Sequence, residues 1–167
     1  MNAQQLHDFI IKPTLEYMGG NYNTVESRFL LLCTAAIESN CGHFIKQVNG
    51  PALGIWQIEP DTHDDILDNC DALKGDIFSR RIRALMVSPL NSIDHDLQVS
   101  PMYACAMARL KYAMDPKALP KYTGKQEFDL PAFYEVYKRV YNTANGASTF
   151  DKWCSAINKH GVLGVSL

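Results

Sequence analysis

The chain has 167 residues, of which 47% are hydrophobic and 20% are charged, and its formal net charge is −2. This composition is ordinary for one soluble globular domain spanning residues 1–167, and it excludes a dedicated, strongly basic nucleic-acid-binding protein. No stretch of eighteen apolar residues occurs, so we expect no insertion into a membrane.

The first predicted element is a helix over residues 3–18, in which apolar side chains recur at helical spacing and Pro13 marks a kink or a boundary. Asn23 or Thr24 caps a second predicted helix, which runs to about Asn40. This helix contains the sequence FLLLCTAAI and is therefore apolar on every side. Such a pattern is typical of a central helix that is buried all round.

Residues 44–58 predict two short extended segments around an Asn-Gly turn, which together form a small β-hairpin. Pro60 is in the first-turn position that opens a helix. Further helices are predicted over residues 60–73, 77–87, 101–114, 130–142 and 149–160. Residues 115–130 hold helix breakers and predict a loop, and Ser148 with Asp151 predicts a capping box for the last helix. The predicted fold class is mainly α, one helical domain with a small β-hairpin after the central helix.

Glu38 ends the apolar central helix, where packing alone gives no reason for a carboxylate. Leu31, Thr34 and Ala35 lie one and two turns earlier on the same face. Apolar surroundings raise the pKa of a carboxyl group, and the negative end of the helix dipole acts in the same direction. An acid tuned in this way can donate a proton to a poor leaving group such as a glycosidic oxygen. The alternative from the residues alone is a glutamate simply exposed at a helix end.

Two further motifs follow the Glu-Ser pair at 38–39. The first is GIWQIEPDT at 54–62, and the second is Tyr141 with Asn142 before a turn that contains Gly146. In this order the motifs resemble the lysozyme-like superfamily, most closely the lytic transglycosylase type found in many phage proteins. The sequence departs from that pattern after the Glu-Ser pair, where GPALG replaces the usual Gly-Ala-x-Gly turn. Phage variants resemble this form, so the resemblance implies a phage or prophage origin.

The resemblance also implies a role for each matching residue. Glu38 would be the general acid and then the base, and Ser39 would form a hydrogen bond near the scissile sugar. Gln57 would contact the N-acetyl or hydroxyl groups of the substrate. Tyr141 would orient the catalytic glutamate, and Asn142 would shape the same wall of the groove.

Several of these residues have a second interpretation. Trp56 is either a platform on which a sugar stacks or a core residue beside the hairpin. Ser39 can be a polar residue near a helix end, and Tyr141 can be a core aromatic residue. Glu59 is a possible second carboxylate that faces the groove and activates water, or it caps the helix that opens at Pro60.

The function implied by the resemblance is cleavage of the β-1,4 bond between N-acetylmuramic acid and N-acetylglucosamine in peptidoglycan glycan strands. The enzyme would be a lytic transglycosylase or a muramidase with a single catalytic Glu38. Its partners would be the glycan strands alone, with no nucleic acid, and the protein would be a monomer. The alternatives are a virion structural or wall-binding module with little activity, an enzyme acting on another glycan, and a plain helical adaptor.

We expect no cofactor and no metal. Cys41 and His43, taken with His63 and Cys70, match no zinc-binding spacing. The five cysteines include no Cys-x-x-Cys pair, which is typical of a chain that folds in a reducing compartment. The beginning of the chain does not resemble a secretion signal. We therefore expect synthesis in the host cytoplasm without a signal peptide, and action on the cell wall after release or as part of a virion.

The last third of the chain is mildly basic. From Lys111 to His160 there are eight Lys and Arg residues against five Asp and Glu. This excess indicates either a basic face toward an anionic polymer or a solvated helix surface.

Overall fold

The computed structural model describes residues 1–88, 92–142 and 147–167, and these residues are mainly helical, as predicted. The α-helices are α1 (Ala3–Leu6), α2 (Lys12–Met18), α3 (Val25–Ser39), α4 (Pro60–Asn69), α5 (Asp76–Arg83), α6 (Ile93–Val99), α7 (Pro101–Ala113), α8 (Gln126–Val140) and α9 (Phe150–Lys159). Short 3₁₀ segments occur at Gly20–Tyr22, Asp71–Lys74 and Val162–Gly164. Within the described ranges, no helix has the length and apolar character needed to cross a membrane.

The helix α3 is the centre of the fold. Thr24 caps it by accepting a hydrogen bond from the backbone N–H of Ser27 at 3.2 Å, and Asn40 ends it in the left-handed conformation. Its apolar stretch from Phe29 to Ala36 is buried, as the sequence predicts. The helices α1, α7, α8 and α9 contact it. The contact with α8 includes the last turn of α3, which lies at the site described below.

The predicted first helix is divided by a π-helical turn over His7–Ile11, after which α2 begins with Pro13 in its first turn. Proline has no N–H to donate, and its ring crowds the carbonyl four residues earlier, so it is disfavoured in the interior of an α-helix. The wider π turn changes the hydrogen-bond register before the proline, which explains why the boundary falls here.

The predicted β-hairpin over residues 44–58 is not seen as a pair of strands. In that part of the described chain there are only two isolated antiparallel bridges, Lys46 with Leu53 and Leu53 with Ile58. Gly54 and Gln57 both have positive φ values, +74° and +48°. These two reversals within four residues turn the chain too often for an extended strand to form, so the segment is a compact loop.

The helix α8 begins at Gln126, earlier than the predicted residue 130, so the predicted loop is shorter. Asp129 accepts hydrogen bonds from the backbone N–H and the hydroxyl of Thr123, at 2.9 and 2.8 Å, and thereby fixes the preceding loop to the first turn. Pro131 lies inside the helix at an exposed position. Its missing N–H removes only one helical hydrogen bond, which the tertiary contacts of α8 compensate.

Two other predictions at helix ends need correction. Thr149, not Ser148, caps α9 and accepts a hydrogen bond from the backbone N–H of Lys152 at 3.3 Å. The helix predicted over 77–87 ends at Arg83. The short helix α6 was not predicted.

Candidate active site

Glu38 lies in the last turn of α3, where its side chain is partly buried. The hydroxyl of Tyr137 on α8 donates a hydrogen bond to its Oε1 at 2.6 Å. Burial raises the pKa of Glu38, and the hydrogen bond from Tyr137 lowers it by less, so the pKa stays above its ordinary value. The result is a carboxyl group held in one orientation and biased toward its protonated form.

Glu38 opens onto a cleft with a volume of about 410 Å³. The cleft is lined by Glu38, Gln47, Ala52, Gln57, Ile58, Glu59, Thr62, Lys111, Val140, Tyr141 and Asn142. It lies between the end of α3, the 44–58 loop and the C-terminal part of α8. The fold therefore brings most of the predicted site residues together in one concave surface, although they are spread over about a hundred positions of sequence.

Among the described residues, Tyr137 is the one whose side chain forms a hydrogen bond with Glu38, and the motifs predict no role for it. Its ring stacks on Trp153, with the ring centres 4.8 Å apart, and on Tyr141 at 6.2 Å. Burial, reinforced by the nearby Glu38, raises the pKa of Tyr137 far above its ordinary value. The phenol therefore remains a hydrogen-bond donor at every physiological pH.

The expectation that Tyr141 orients Glu38 is corrected by the hydrogen bonds. The hydroxyl of Tyr141 donates to the backbone carbonyl of Trp56 at 2.7 Å. Its ring stacks on Tyr112 as well as on Tyr137. Tyr141 therefore lines the cleft and joins α8 to the 44–58 loop, while Tyr137, one helical turn earlier, orients the carboxyl group.

Ser39 does not face the cleft, so its predicted contact with the sugar is wrong. The side chain is fully buried. Its hydroxyl donates to the carbonyl of Ile55 at 2.5 Å and accepts from the backbone N–H of Gly42 at 2.8 Å. Ser39 thus fixes the loop against the end of α3 and positions the residues that follow it.

Trp56 is a core residue, and the alternative of a sugar-stacking platform is wrong. Its side chain has no solvent exposure, and the indole N–H donates to the carbonyl of Leu31 at 3.0 Å. A sugar can stack only on an aromatic face that solvent reaches. The role of Trp56 is to anchor the loop to the middle of α3.

Gln57 lines the cleft with its backbone in the left-handed region. Its side-chain nitrogen donates to the carbonyl of Gly54 at 2.7 Å and to that of Phe44 at 3.4 Å. Because these bonds use the amide N–H groups, the amide oxygen remains to accept a hydrogen bond from a ligand. A non-glycine residue with positive φ is strained, and such strain is concentrated at functional sites.

Gly54 allows the 44–58 loop to approach the backbone of α6 closely. A Cβ atom built at this position would lie 2.2 Å from the carbonyl oxygen of Leu97. The close approach of two backbone segments, together with the positive φ, requires glycine here. The loop is therefore packed directly against α6, and this contact sets the position of Gln57.

Glu59 lies at the N-cap of α4 but makes no side-chain capping hydrogen bond. The carboxylate is exposed and lines the same cleft as Glu38. Asn142 also lines the cleft, as predicted, and its side-chain oxygen accepts a hydrogen bond from Nζ of Lys138 at 2.8 Å. Gly146, the last residue of the third motif, lies outside the described residues.

The sequence does not distinguish Tyr137 from the other aromatic residues of its helix, which recur at helical spacing. It does indicate that Tyr137 and Tyr141, four residues apart, share one face of α8, so that either could reach Glu38. Only the packing of α8 against α3 decides which of the two reaches Glu38. Within the described ranges, no group of three or more His, Cys, Asp or Glu side chains is arranged to hold a metal ion.

Comparison of this chain with protein-family models, with curated proteins and with solved structures found no match.

Proposed function

We propose that this protein is a glycosidase with a lysozyme-like fold that cleaves the glycan strands of peptidoglycan, with Glu38 as its catalytic acid. The observation that carries the proposal is the carboxyl group of Glu38, which has a raised pKa, is held by the Tyr137 hydroxyl and opens onto a cleft. A positioned acid with this protonation bias is what cleavage of a glycosidic bond requires. The resemblance of the three motifs to lytic transglycosylases of phages supports the choice of substrate.

The proposed reaction begins when Glu38 transfers its proton to the oxygen that bridges N-acetylmuramic acid and N-acetylglucosamine. The bond from the anomeric carbon to that oxygen breaks, and positive charge develops on the sugar ring. The resulting carboxylate then accepts the proton of the attacking hydroxyl group. Tyr137 keeps its hydrogen bond throughout and stabilises the charged carboxylate.

The attacking group distinguishes two forms of this reaction. In a lytic transglycosylase, the 6-hydroxyl of the same sugar attacks and leaves an anhydro end, with Glu38 as the only catalytic carboxylate. In a muramidase, water attacks and leaves a reducing end. Glu59 is the candidate second carboxylate for the hydrolytic form, because it is exposed in the same cleft without a capping hydrogen bond.

The test uses purified peptidoglycan, with release of soluble fragments measured by loss of turbidity and the fragments identified by mass spectrometry. We expect Glu38→Gln to abolish release, because the amide keeps the shape of the side chain but cannot donate the proton. Glu16→Gln is the matched control, since Glu16 is exposed on α2 and does not line the cleft. Anhydro ends would identify a lyase, and reducing ends a hydrolase.

Retained activity in Glu38→Gln would reject the catalytic role of this residue. Binding of the wild-type protein to peptidoglycan without any release would favour a virion structural or wall-binding module. A loss in Glu59→Gln as large as that in Glu38→Gln would indicate a two-carboxylate hydrolase. We further propose that the protein is phage-encoded and acts as a monomer on the bacterial wall, either after release or as part of a virion.

A further inference from the structure

A region rich in cationic side chains adjoins the Glu38 cleft. A second cavity, of about 250 Å³, is lined by Lys111, Met114, Asp115, Arg139 and Val140. It shares Lys111 and Val140 with the cleft. A third cavity, of about 380 Å³, shares Asp115 with the second and adds Arg109 and Lys117. The second cavity therefore adjoins the cleft near the C-terminal end of α7, and the third adjoins the second. We call the second and third cavities together the basic trough.

The cleft and the basic trough differ in charge. The cleft is lined by Glu38, Glu59 and one cation, Lys111, which it shares with the trough. The trough is lined by four cationic side chains, those of Arg109, Lys111, Lys117 and Arg139. Its one carboxylate is that of Asp115. Asp115 is paired with Arg139, which donates to it from Nε at 3.0 Å and from Nη2 at 2.5 Å. Lys111 has an acidic neighbour outside the trough, Asp65, at the longer distance of 3.8 Å.

Arg109 is the most unusual of these cations. Only 8% of the residue is exposed, and its guanidinium donates to the backbone carbonyls of Tyr22 at 3.1 Å and Asn21 at 3.3 Å. These two bonds use two of its five N–H groups, and both acceptors are carbonyl groups, not carboxylates. The guanidinium also lies over the ring of Tyr22, 5.3 Å from its centre, so carbonyl dipoles and a cation–π contact compensate its burial. Burying a cation remains costly, and an anion bound in the trough would reduce that cost.

We propose that the basic trough binds the carboxylates of the peptide branches that peptidoglycan carries, while the sugar backbone of the same strand occupies the Glu38 cleft. This inference rests on the proposed function. Peptide branches are attached to alternate sugars, so a strand in the cleft presents anionic groups beside it. The trough adjoins the cleft at Lys111 and Val140. The excess of cations over carboxylates on the trough side then favours one direction of the strand over the other.

The experiment compares intact glycan strands with the same strands after their peptides have been removed by an amidase. Amide hydrolysis leaves the lactyl carboxylate on each N-acetylmuramic acid, so the comparison tests the carboxylates of the peptides themselves. The readout is selectivity, the ratio of kcat/KM on peptide-bearing strands to kcat/KM on peptide-free strands. We expect the wild-type protein to favour peptide-bearing strands, and the double variant Lys111→Gln, Lys117→Gln to lose about three- to tenfold of that selectivity. Lys125→Gln is the matched control, because Lys125 is exposed at the start of α8 and does not line the trough.

A second readout needs no variant. Because the contacts are ionic, the selectivity of the wild-type protein should fall as salt is raised from low to about 0.5 M. Equal cleavage of both substrates by the wild-type protein, or a selectivity unaffected by salt and by the double variant, would overturn the trough inference and leave the glycosidase proposal standing. Failure to cleave either substrate would overturn both.

Discussion

Replacing Tyr137 by phenylalanine tests how the candidate acid is controlled. The change removes the hydroxyl that donates to Oε1 of Glu38 at 2.6 Å and keeps the ring that stacks on Trp153 and Tyr141. A hydrogen bond to a charged group contributes about 1.5–3 kcal/mol, and this one favours the carboxylate over the acid. Without it, the pKa of Glu38 should rise further above its ordinary value, because burial then acts unopposed.

The assay is the pH dependence of peptidoglycan cleavage. In Tyr137→Phe, the alkaline limb of the profile should move to higher pH, since Glu38 stays protonated over a wider range. The maximal rate should fall by about 10- to 100-fold, because the carboxyl group is no longer held in one orientation. Tyr134→Phe is the matched control, since the hydroxyl of Tyr134 on the same helix donates to the carbonyl of Ser148. An alkaline limb that stays in place in Tyr137→Phe would refute this account of how Glu38 is tuned.

Two further predictions concern stability. The raised pKa of Glu38 means that the folded state holds this proton more tightly than the unfolded state, so its stabilising contribution is full at low pH and is lost as the pH rises through the folded pKa. Thermal unfolding over a pH series should therefore show Glu38→Gln gaining stability relative to the wild-type protein as pH increases, and a difference independent of pH would contradict this. Gly54→Ala should destabilise the protein by about 2–5 kcal/mol, because its Cβ would meet the carbonyl of Leu97 in addition to the backbone strain. Gly124 has the same φ of +74°, but no atom lies within 4 Å of a Cβ built there, so Gly124→Ala should cost only about 1–2 kcal/mol. Equal losses of unfolding free energy in the two variants, measured by chemical denaturation, would refute the packing argument.

The helices could be predicted from sequence where apolar periodicity and end signals agreed. The central helix is the best example, because Thr24 caps it and its apolar surface is continuous. The 44–58 segment could not be predicted, since its alternating residues suit a strand while its conformation depends on the contact of Gly54 with Leu97. That contact is set by tertiary packing, which overrides local β preference.

The sequence is more informative about which residues gather in one place than about what each of them contacts. Glu38, Gln57, Tyr141 and Asn142 do line one cleft. Pattern alone cannot distinguish side chains that face the cleft from those that hold it in place, which is why the sequence allows two roles for Trp56. Burial and hydrogen bonding decide that question, and both depend on contacts distant in sequence.

The hydroxyl that donates to Glu38 belongs to Tyr137, 99 positions later in the chain, and this separation affects when the site is assembled during synthesis. During synthesis, Glu38 leaves the ribosome before Tyr137 does, so the acid emerges while the helix that supplies its partner has still to be made. A truncated or half-made polypeptide would therefore carry the acid without its orienting group. The hydrogen bond that holds Glu38 in one orientation therefore forms only after α8 has been made and has packed against α3.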